Sequence, residues 1–501
     1  MTQSAGGPGP QLPLPGSSTD SARRRQLRAR VSYNASTRLI GRVAGAVVSL
    51  VALRIMTHDF GPVRWGEVVA ASAFANLFVG LCDFGLTRIV SREMATPGAD
   101  EQAVYGGGLL AGLIVSCSAM AVMTLADFAA YAAHPHLRTL TLVLVLSLPP
   151  NAAWVISGAA LIARARNDAR GVIDITSSLF LLGAAGATVA AALGVAGYLW
   201  LTVAADAATA LVGLGIARHY VRADFRSGRR RVRELIRRAA PLGASQALIS
   251  VAVQVDVVLL SLLAPLATVG TFGVALQLAV FGTSVPSMVT AAILPKFVDG
   301  TSARRQRLIQ RALNVLISGG AALPLAAIVF ARPGMSLIAG RGFAGGATPL
   351  ILLSFYAALA CPAAVFMDGL VYLRAEGTVL RIMFWATIVT LVVAASTVPF
   401  YAATAAAVAL LVGSTVIVVW GAVAFRRVAG FGVSPAKSTL FVLVSALLTA
   451  IYLLLHSTAG YAPRGGWVMV PELLALLVIY GSVGFGASAL LRCRGHGVGG
   501  H

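Results

Sequence analysis

Charged residues are scarce in this sequence. Lys, Arg, Asp and Glu together make up 11% of the 501 residues, whereas soluble domains contain about 25%. Hydrophobic residues make up 58%, and the mean hydropathy is +0.84. Because a soluble fold could not bury this much apolar surface, the composition excludes an ordinary soluble protein and indicates a chain that crosses a membrane many times.

Patterns typical of disulfides, metal sites and nucleotide sites are also missing. His134 and His136 supply too few ligands for a metal, and residues 340–345 match GxGxxG without the preceding strand that a dinucleotide site requires. There is no Walker motif, so any energy would come from a gradient or from the substrate's own gradient. We therefore expect no metal site and no cofactor. The cysteines are scattered without a CxxC pair, at Cys82, Cys117, Cys361 and Cys493.

Long loops are absent as well, since no connection between apolar runs exceeds roughly twenty residues. This excludes an inserted soluble catalytic domain, so we expect a protein that is not an enzyme and whose function lies among its helices. A membrane enzyme such as a lipid-sugar ligase stays an alternative. Retained activity of the purified protein in detergent, without transfer between leaflets, would support that alternative.

Apolar runs of about 20 residues dominate the chain, and at ~1.5 Å rise per residue each can cross a ~30 Å hydrocarbon core as a helix. They predict an all-α polytopic membrane protein with about 14 transmembrane helices. The runs lie near 39–56, 67–90, 104–127, 138–163, 171–193, 197–218, 239–263, 269–294, 308–331, 347–372, 381–400, 404–425, 437–456 and 470–491.

Basic residues alternate between the two sides that these spans define. The formal net charge is +21, and 32 of the 39 Lys and Arg residues fall in every second connecting segment and the two tails. Cytoplasmic loops are the basic ones in membrane proteins, so both termini are predicted to be cytoplasmic. The positive charge is then an orientation signal, with attraction to anionic lipid as a second effect, and it predicts no nucleic-acid partner.

The two halves of the chain look related. A proline lies in the first external turn of each half and a glycine follows it, Gly66 in one half and Gly270 in the other. Both halves start on the same side, so they predict a parallel pseudo-repeat of two six-helix lobes plus two C-terminal helices. The predicted segments are a disordered basic tail (1–37), an N-terminal lobe (38–217), a basic linker (218–238), a C-terminal lobe (239–425), two more helices (426–491) and a cytoplasmic tail (492–501).

Several charged residues lie inside the predicted spans, where each costs on the order of 3 kcal/mol. Asp256, with only Gln254 as a polar neighbour in a long apolar run, is the strongest functional candidate, and Asp206 is similar. The complete set is Arg42, Arg54, Asp83, Asp174, Asp206, Asp256 and Asp368.

Structural explanations exist for three of these charged residues. Arg42 could snorkel towards the cytoplasm, Asp83 could simply pair with Arg88 or Arg42, and Asp174 could stabilise the start of its helix.

A series of short motifs in order along residues 38–425 resembles the polysaccharide transporter (oligosaccharide flippase) family. That family belongs to the superfamily that also contains multidrug and toxin exporters and lipid II flippases. The motifs are Arg54, Gly61-Pro62, Trp65-Gly66, Asp83-Phe84-Gly85-Leu86, Arg92-Glu93, Asp256, Val269-Gly270 and the Gly340–Ala347 segment. Residues 58–60, His-Asp-Phe, depart from the small apolar approach to Gly-Pro that the family favours.

The resemblance implies a flippase that moves a polyprenyl-diphosphate-linked oligosaccharide across the bacterial cytoplasmic membrane by alternating access. Substrate-binding candidates for its diphosphate are Arg42, Arg54 and Arg88, with Arg92 nearer the entry side. Asp83, Asp206 and Asp256 are candidates for ion pairs in the empty cavity or for a coupling proton. Expected partners are the substrate, membrane lipids, and a glycan polymerase and glycosyltransferases.

Two other functions remain open at this point. A cation-coupled multidrug exporter of the same superfamily would have acids and aromatic residues in its cavity but few buried arginines. A scaffold that transports nothing within a glycan-assembly complex is the other.

Overall fold

The computed structural model describes residues 18–96, 98–164, 166–293, 302–373 and 375–430, and within these ranges it contains helices and no β-strand. The all-α fold class is therefore confirmed. Numbered in chain order, the helices are α1 (Ser18–Asp83), α2 (Leu86–Met94), α3 (Glu101–Ala130), α4 (Pro135–Val145), α5 (Leu148–Ala163), α6 (Asn167–Ala190), α7 (Gly194–Tyr220), α8 (Phe225–Leu263), α9 (Leu266–Ile293), α10 (Ser302–Ala339), α11 (Ala347–Tyr372) and α12 (Glu376–Ala429), with a 3₁₀ helix at Arg341–Gly346.

Two of these helices are too long to cross a membrane once. α1 has 66 residues and α12 has 54, against about 20 for one crossing. α1 breaks at Gly61, which has φ 67°, a conformation that glycine adopts without strain. α12 breaks at Ala402, which has φ 44°. Each helix therefore supplies two crossings.

Ten segments of the described residues are long and apolar enough to span a membrane. With the two broken helices counted twice, the described residues hold twelve crossings, which correspond to the first twelve predicted spans. The thirteenth and fourteenth, 437–456 and 470–491, lie outside the described residues, so the total of fourteen stays a prediction.

The crossings alternate in direction, which gives the bundle two distinct ends. The arginine-rich end contains α2, the α5–α6 and α7–α8 connections, and both termini of α12. The opposite end contains the Gly61 bend, the α8–α9 turn, the 3₁₀ helix and the Ala402 break. Which end faces the cytoplasm is predicted by its arginines.

Apolar packing differs between these two ends among the described residues. At the opposite end one cluster joins helices from both halves of the chain, and it includes Trp65, Tyr131, Val269, Phe343 and Ala403. At the arginine-rich end the buried residues form separate clusters. The larger of these clusters are two. The first contains Leu86, Tyr105, Ile156 and Leu235, and the second contains Ile309, Val365, Ile382 and Phe425. The buried apolar packing is thus continuous between the two halves at one end and divided into separate clusters at the other.

The predicted linker 218–238 is mostly helical. Residues from Phe225 onwards form the first turns of α8, which runs on to Leu263 without interruption. Gly228 packs so closely on α3 that an added Cβ would overlap the backbone of Gly107. The carboxylate that caps α8 belongs to Asp224, and hydrogen bonds from Ser227 and the Arg226 amide hold its pKa below the usual value.

Candidate functional site

The second crossing of α1 and the start of α9 meet at the opposite end through two glycines. A Cβ on Gly66 would overlap the carbonyl oxygen of Leu266 and lie 2.7 Å from its carbonyl carbon. A Cβ on Gly270 would overlap the carbonyl oxygen of Pro62 and lie 2.9 Å from the amide nitrogen of Gly66. The helices therefore touch backbone to backbone, which only glycine permits.

This contact is reciprocal. Each glycine packs on the carbonyl four residues before the other one: Gly66 on that of Leu266, and Gly270 on that of Pro62. Gly66 and Gly270 are also the two positions that the sequence pairs as equivalent. Such reciprocity is expected where a pseudo-twofold axis along the membrane normal passes between two related helices.

Further contacts close the opposite end around this crossing. The Arg54 guanidinium donates a hydrogen bond to the Leu337 carbonyl of α10. The hydroxyls of Tyr131 on α3 and Ser261 on α8 lie 2.8 Å apart, and Tyr131 also packs edge-on against Phe74. The two halves of the chain are therefore joined here by hydrogen bonds as well as by apolar packing.

At the arginine-rich end, α1 and α2 meet α8. A Cβ on Gly80 would overlap the Ser250 hydroxyl, and a Cβ on Gly85 would lie 2.5 Å from Cβ of Leu242. Gly85 has φ 70°, so it supplies both the close approach and the left-handed backbone of the corner between α1 and α2. Leu242 and Ser250 belong to the part of α8 assigned to the C-terminal lobe, so the two halves also touch at this end, through this one helix.

Asp83 caps α2 at this corner. Its carboxylate accepts hydrogen bonds from the Thr87 amide at 3.1 Å and from the Thr87 hydroxyl. This satisfies an amide that has no partner within the helix. The cap gives Asp83 a structural role, and it forms no ion pair within the described part of the chain.

Asp256 is the most unusual buried group. It lies in α8 between the contact at Ser250 and the hydrogen bond at Ser261. It is completely buried, and neither carboxylate oxygen has a hydrogen-bond partner among the described residues. An ionised carboxylate in such a place costs several kcal/mol, so this position suits a protonated carboxyl or one that holds a cation.

The structure does not bring the remaining predicted site residues together. Arg54 lies at the opposite end, whereas Arg88 and Arg92 are exposed on α2 at the arginine-rich end. Asp206 lies in α7, partly exposed and without an ion pair among the described residues. The side chain of Arg42 is outside the described residues.

One buried acid was missed from the sequence. Asp127, near the end of α3, is fully buried, and one of its oxygens accepts a hydrogen bond from the Thr141 hydroxyl while the other has no partner among the described residues. It is the last residue of the predicted span 104–127 and was not included among the charged residues inside the spans. The sequence signal that could have found it is the apolar run that continues on both sides of it.

The fold and these contacts define a multi-pass all-α membrane protein built around two crossing helix pairs. Its sequence matches the model of the polysaccharide biosynthesis protein family over residues 28–300, which is more than half of the chain. The chain therefore belongs to that family, which confirms the resemblance that the motifs carry. No curated protein matches the chain.

Solved structures share this fold at low sequence identity. The lipid II flippase MurJ in an inward closed conformation has a TM-score of 0.73 at 11% identity, covering 91% of this chain and 99% of its own. An inward-facing multidrug resistance transporter of the MATE family has a TM-score of 0.56 at 16% identity, with coverages of 80% and 98%. An outward-facing transporter of the MATE family has a TM-score of 0.55 at 14% identity, and the match covers 80% of this chain and 96% of that one.

Proposed function

We propose that this protein is a flippase that moves a polyprenyl-diphosphate-linked oligosaccharide across the bacterial cytoplasmic membrane for cell-surface polysaccharide assembly. The observation that carries the proposal is the difference between the two ends. The described core is continuous at the opposite end and separated into two larger clusters at the arginine-rich end. Two bodies that pack more continuously at one end than at the other can rock about a central site, as alternating access requires.

The crossing of Gly66 and Gly270 is the outer gate of this mechanism. Because its contact is backbone on backbone, the gate closes without any side chain having to be placed. It opens when Arg54 leaves the Leu337 carbonyl and Tyr131 leaves Ser261. The arginine-rich end faces the cytoplasm, with both termini on that side.

The substrate has an anionic diphosphate and a polar glycan that hydrocarbon excludes. Arg88 and Arg92 are exposed where the substrate would enter, and Arg54 lies where it would leave. Guanidinium groups bind phosphate oxygens in pairs, so these residues receive and release the diphosphate in turn, and Arg42 is a further candidate from the sequence. The polyprenyl tail remains in the bilayer and passes through a lateral gap.

Asp256 couples transport to a gradient in this proposal. A buried carboxyl without a partner is poised to accept a proton or cation when its surroundings become hydrated, and to lose it when they close. Asp206 lies on a helix of the other half and is the second candidate. Asp83 has a structural role in this proposal, because it stabilises the corner between α1 and α2.

Proteoliposomes that contain a fluorescent polyprenyl-diphosphate oligosaccharide test the function. We expect wild-type protein to make the inner-leaflet glycan accessible to an external glycosidase. Arg88→Ala/Arg92→Ala should slow this at least about tenfold, since each phosphate contact contributes ~1.5–3 kcal/mol. Arg229→Gln/Arg230→Gln, which removes two exposed arginines elsewhere at the same end, is the control. Transport by Arg88→Ala/Arg92→Ala at the wild-type rate would refute the role of these arginines.

A multidrug exporter is the second candidate, because structures of the MATE family share the fold and Asp256 provides a buried acid. Drug susceptibility of cells that express the protein decides between the two. Resistance to cationic drugs, without glycan transfer in proteoliposomes, would replace the flippase proposal.

A further inference from the structure

A groove between the two crossings of α12 stands apart from the contacts described so far. It lies at the arginine-rich end, has a volume of about 450 Å³, and is lined from both crossings by a pair of arginines and a pair of tryptophans. The residues are Arg381 and Trp385 on the first crossing and Trp420 and Arg427 on the second. Its other lining residues are apolar or small.

The order of these side chains matches the layers of a bilayer surface. Trp385 is four residues deeper than Arg381 and Trp420 seven residues deeper than Arg427, about 6 Å and 10 Å along a helix. Arginines therefore lie at the level of lipid phosphates, and indoles lie at the level below, where tryptophan concentrates in membrane proteins. Both tryptophans are about half exposed, at 49% and 45%.

The positive charge of this groove is uncompensated among the described residues. Neither Arg381 nor Arg427 belongs to an ion pair there, and Glu376 is the one acid in the whole of α12. Arg381 makes only a long hydrogen bond from Nε to the Gly377 carbonyl, at 3.4 Å. Its two terminal nitrogens remain available to a ligand.

At the same end, comparable arginines in the first half of the chain are neutralised by acids. Arg166 and Arg170 stack on Tyr220 and Trp154 and also pair with carboxylates two and four residues away. That surface is neutralised and closed by its own side chains. The groove on α12 has the same residue types without the acids, so its arginines are open to an anion from outside.

We propose that this groove binds an anionic phospholipid, with its phosphodiester between Arg381 and Arg427 and its acyl chains against Trp385 and Trp420. Paired basic residues between membrane helices bind phospholipid headgroups in this way. The adjoining surface is apolar and exposed at Val419 and Val423 (57% and 44%), as a lipid-facing wall would be. The site is independent of the proposed transport route.

Quenching of tryptophan fluorescence tests the site on the full-length protein in phosphatidylcholine nanodiscs. The probe is phosphatidylglycerol with brominated acyl chains, compared with equally brominated phosphatidylcholine. We expect tighter quenching by the anionic lipid, by roughly ten- to thirtyfold, since each of the two interfacial arginines adds about fivefold. The selective component should vanish in Trp385→Phe/Trp420→Phe.

Charge variants provide the matched comparison. Arg381→Gln/Arg427→Gln should lose the preference for phosphatidylglycerol, and Arg229→Gln/Arg230→Gln, with the same loss of charge, should keep it. Equal quenching by both lipids, or a preference that survives Arg381→Gln/Arg427→Gln, would overturn the proposal. Quenching by neither lipid would overturn it too, because acyl chains would then not reach the two tryptophans.

A last arm distinguishes the phospholipid from the transported lipid. Unbrominated polyprenyl diphosphate should reduce the quenching no more than an equal mole fraction of unbrominated phosphatidylglycerol does. Greater displacement by the polyprenyl lipid would mean that the groove is a substrate site, which contradicts the proposal. A failure of glycan transfer in proteoliposomes, with selective quenching retained, would refute the flippase proposal and leave the lipid site intact.

Discussion

The two ends of this bundle are held together by different chemistry. The opposite end has one continuous described core, a contact of two glycine backbones and a buried hydrogen bond between hydroxyls. The arginine-rich end has separate cores, side-chain contacts to one helix, and surface ion pairs such as Arg238 with Glu93 at 2.8 Å. Exposed ion pairs contribute less than about 1 kcal/mol, so the two ends differ in how firmly they are closed.

The glycine crossing offers the largest test of this difference. Gly270→Val should force the two helices apart, because its first added carbon would overlap the Pro62 carbonyl. Overpacking of this kind costs about 1–3 kcal/mol, which shifts a two-state equilibrium roughly ten- to hundredfold. We expect the opposite end to open and transport to fall by at least about tenfold.

Labelling measures that opening. In a background without the native cysteines, Ala339→Cys is buried at the opposite end and should react with an impermeant maleimide only when this end opens. Gly215→Val is the matched control, because a Cβ there meets no neighbouring atom within 4 Å. Unchanged labelling in Gly270→Val would show that this crossing is not a gate.

Variants of Asp256 test the role of the buried carboxyl between the two ends. Asp256→Leu should stabilise the protein by about 1–3 kcal/mol, because it removes a buried carboxyl that has no partner. Asp256→Asn should leave stability close to wild type and abolish coupled transport. Thermal unfolding in detergent and proteoliposome transport measure the two effects.

Asp174→Asn serves as the control for Asp256, since Asp174 accepts a hydrogen bond from Arg170 at 3.1 Å and its loss should be slightly destabilising. Destabilisation of Asp256→Leu by more than about 1 kcal/mol would mean that the carboxyl has a stabilising partner.

The helix cap at the arginine-rich end gives a smaller effect. Asp83→Ala should destabilise α2 by about 1 kcal/mol, the usual loss for an N-terminal cap. Asp83→Asn should retain most of the stabilisation, because its amide oxygen can still accept the hydrogen bond. Amide hydrogen exchange of residues 86–94 reports the change, which should be absent at the opposite end. Faster exchange at both ends would argue against the independence of the two regions.

The hydrogen bond across the opposite end gives the smallest effect. Tyr131→Phe and Ser261→Ala should each cost about 0.6 kcal/mol, the average for such bonds inside membranes, and the double variant should cost no more than either. Unfolding in mixed micelles measures this cycle. Additive losses would mean that the hydroxyls do not interact in the folded protein.

Much of the architecture was predictable from the sequence. A continuous apolar run must become a helix in a membrane because no water satisfies its backbone, so the first twelve runs correspond to the observed crossings. The limit of this prediction is seen in α8, because this helix also contains most of the predicted linker. An amphipathic basic segment and a flexible linker look alike in composition, and only packing on α3 distinguishes them.

The candidate site was predictable only in part. Asp256 was recognised because an acid in an apolar run is costly wherever it points. The equivalence of Gly66 and Gly270 was also recognised, but their contact was not, since a glycine does not specify its neighbour. Arg54 had appeared to be a cavity residue, and the structure shows it bonded to Leu337, 283 positions away in the chain.

The two crossings of α1 that meet at Gly61 illustrate what the local sequence determines and what the tertiary structure decides. Their apolar runs, the bend between them and the charge of their ends follow from local chemistry, because hydrocarbon allows a polar or strained backbone only at defined places. The partners of Gly66, Gly80 and Gly85 depend on how distant helices cross, and such contacts depend on shape at distances that no local pattern encodes. The two glycine crossings, the unpartnered carboxyl and the open groove on α12 therefore emerge only when all twelve crossings are packed.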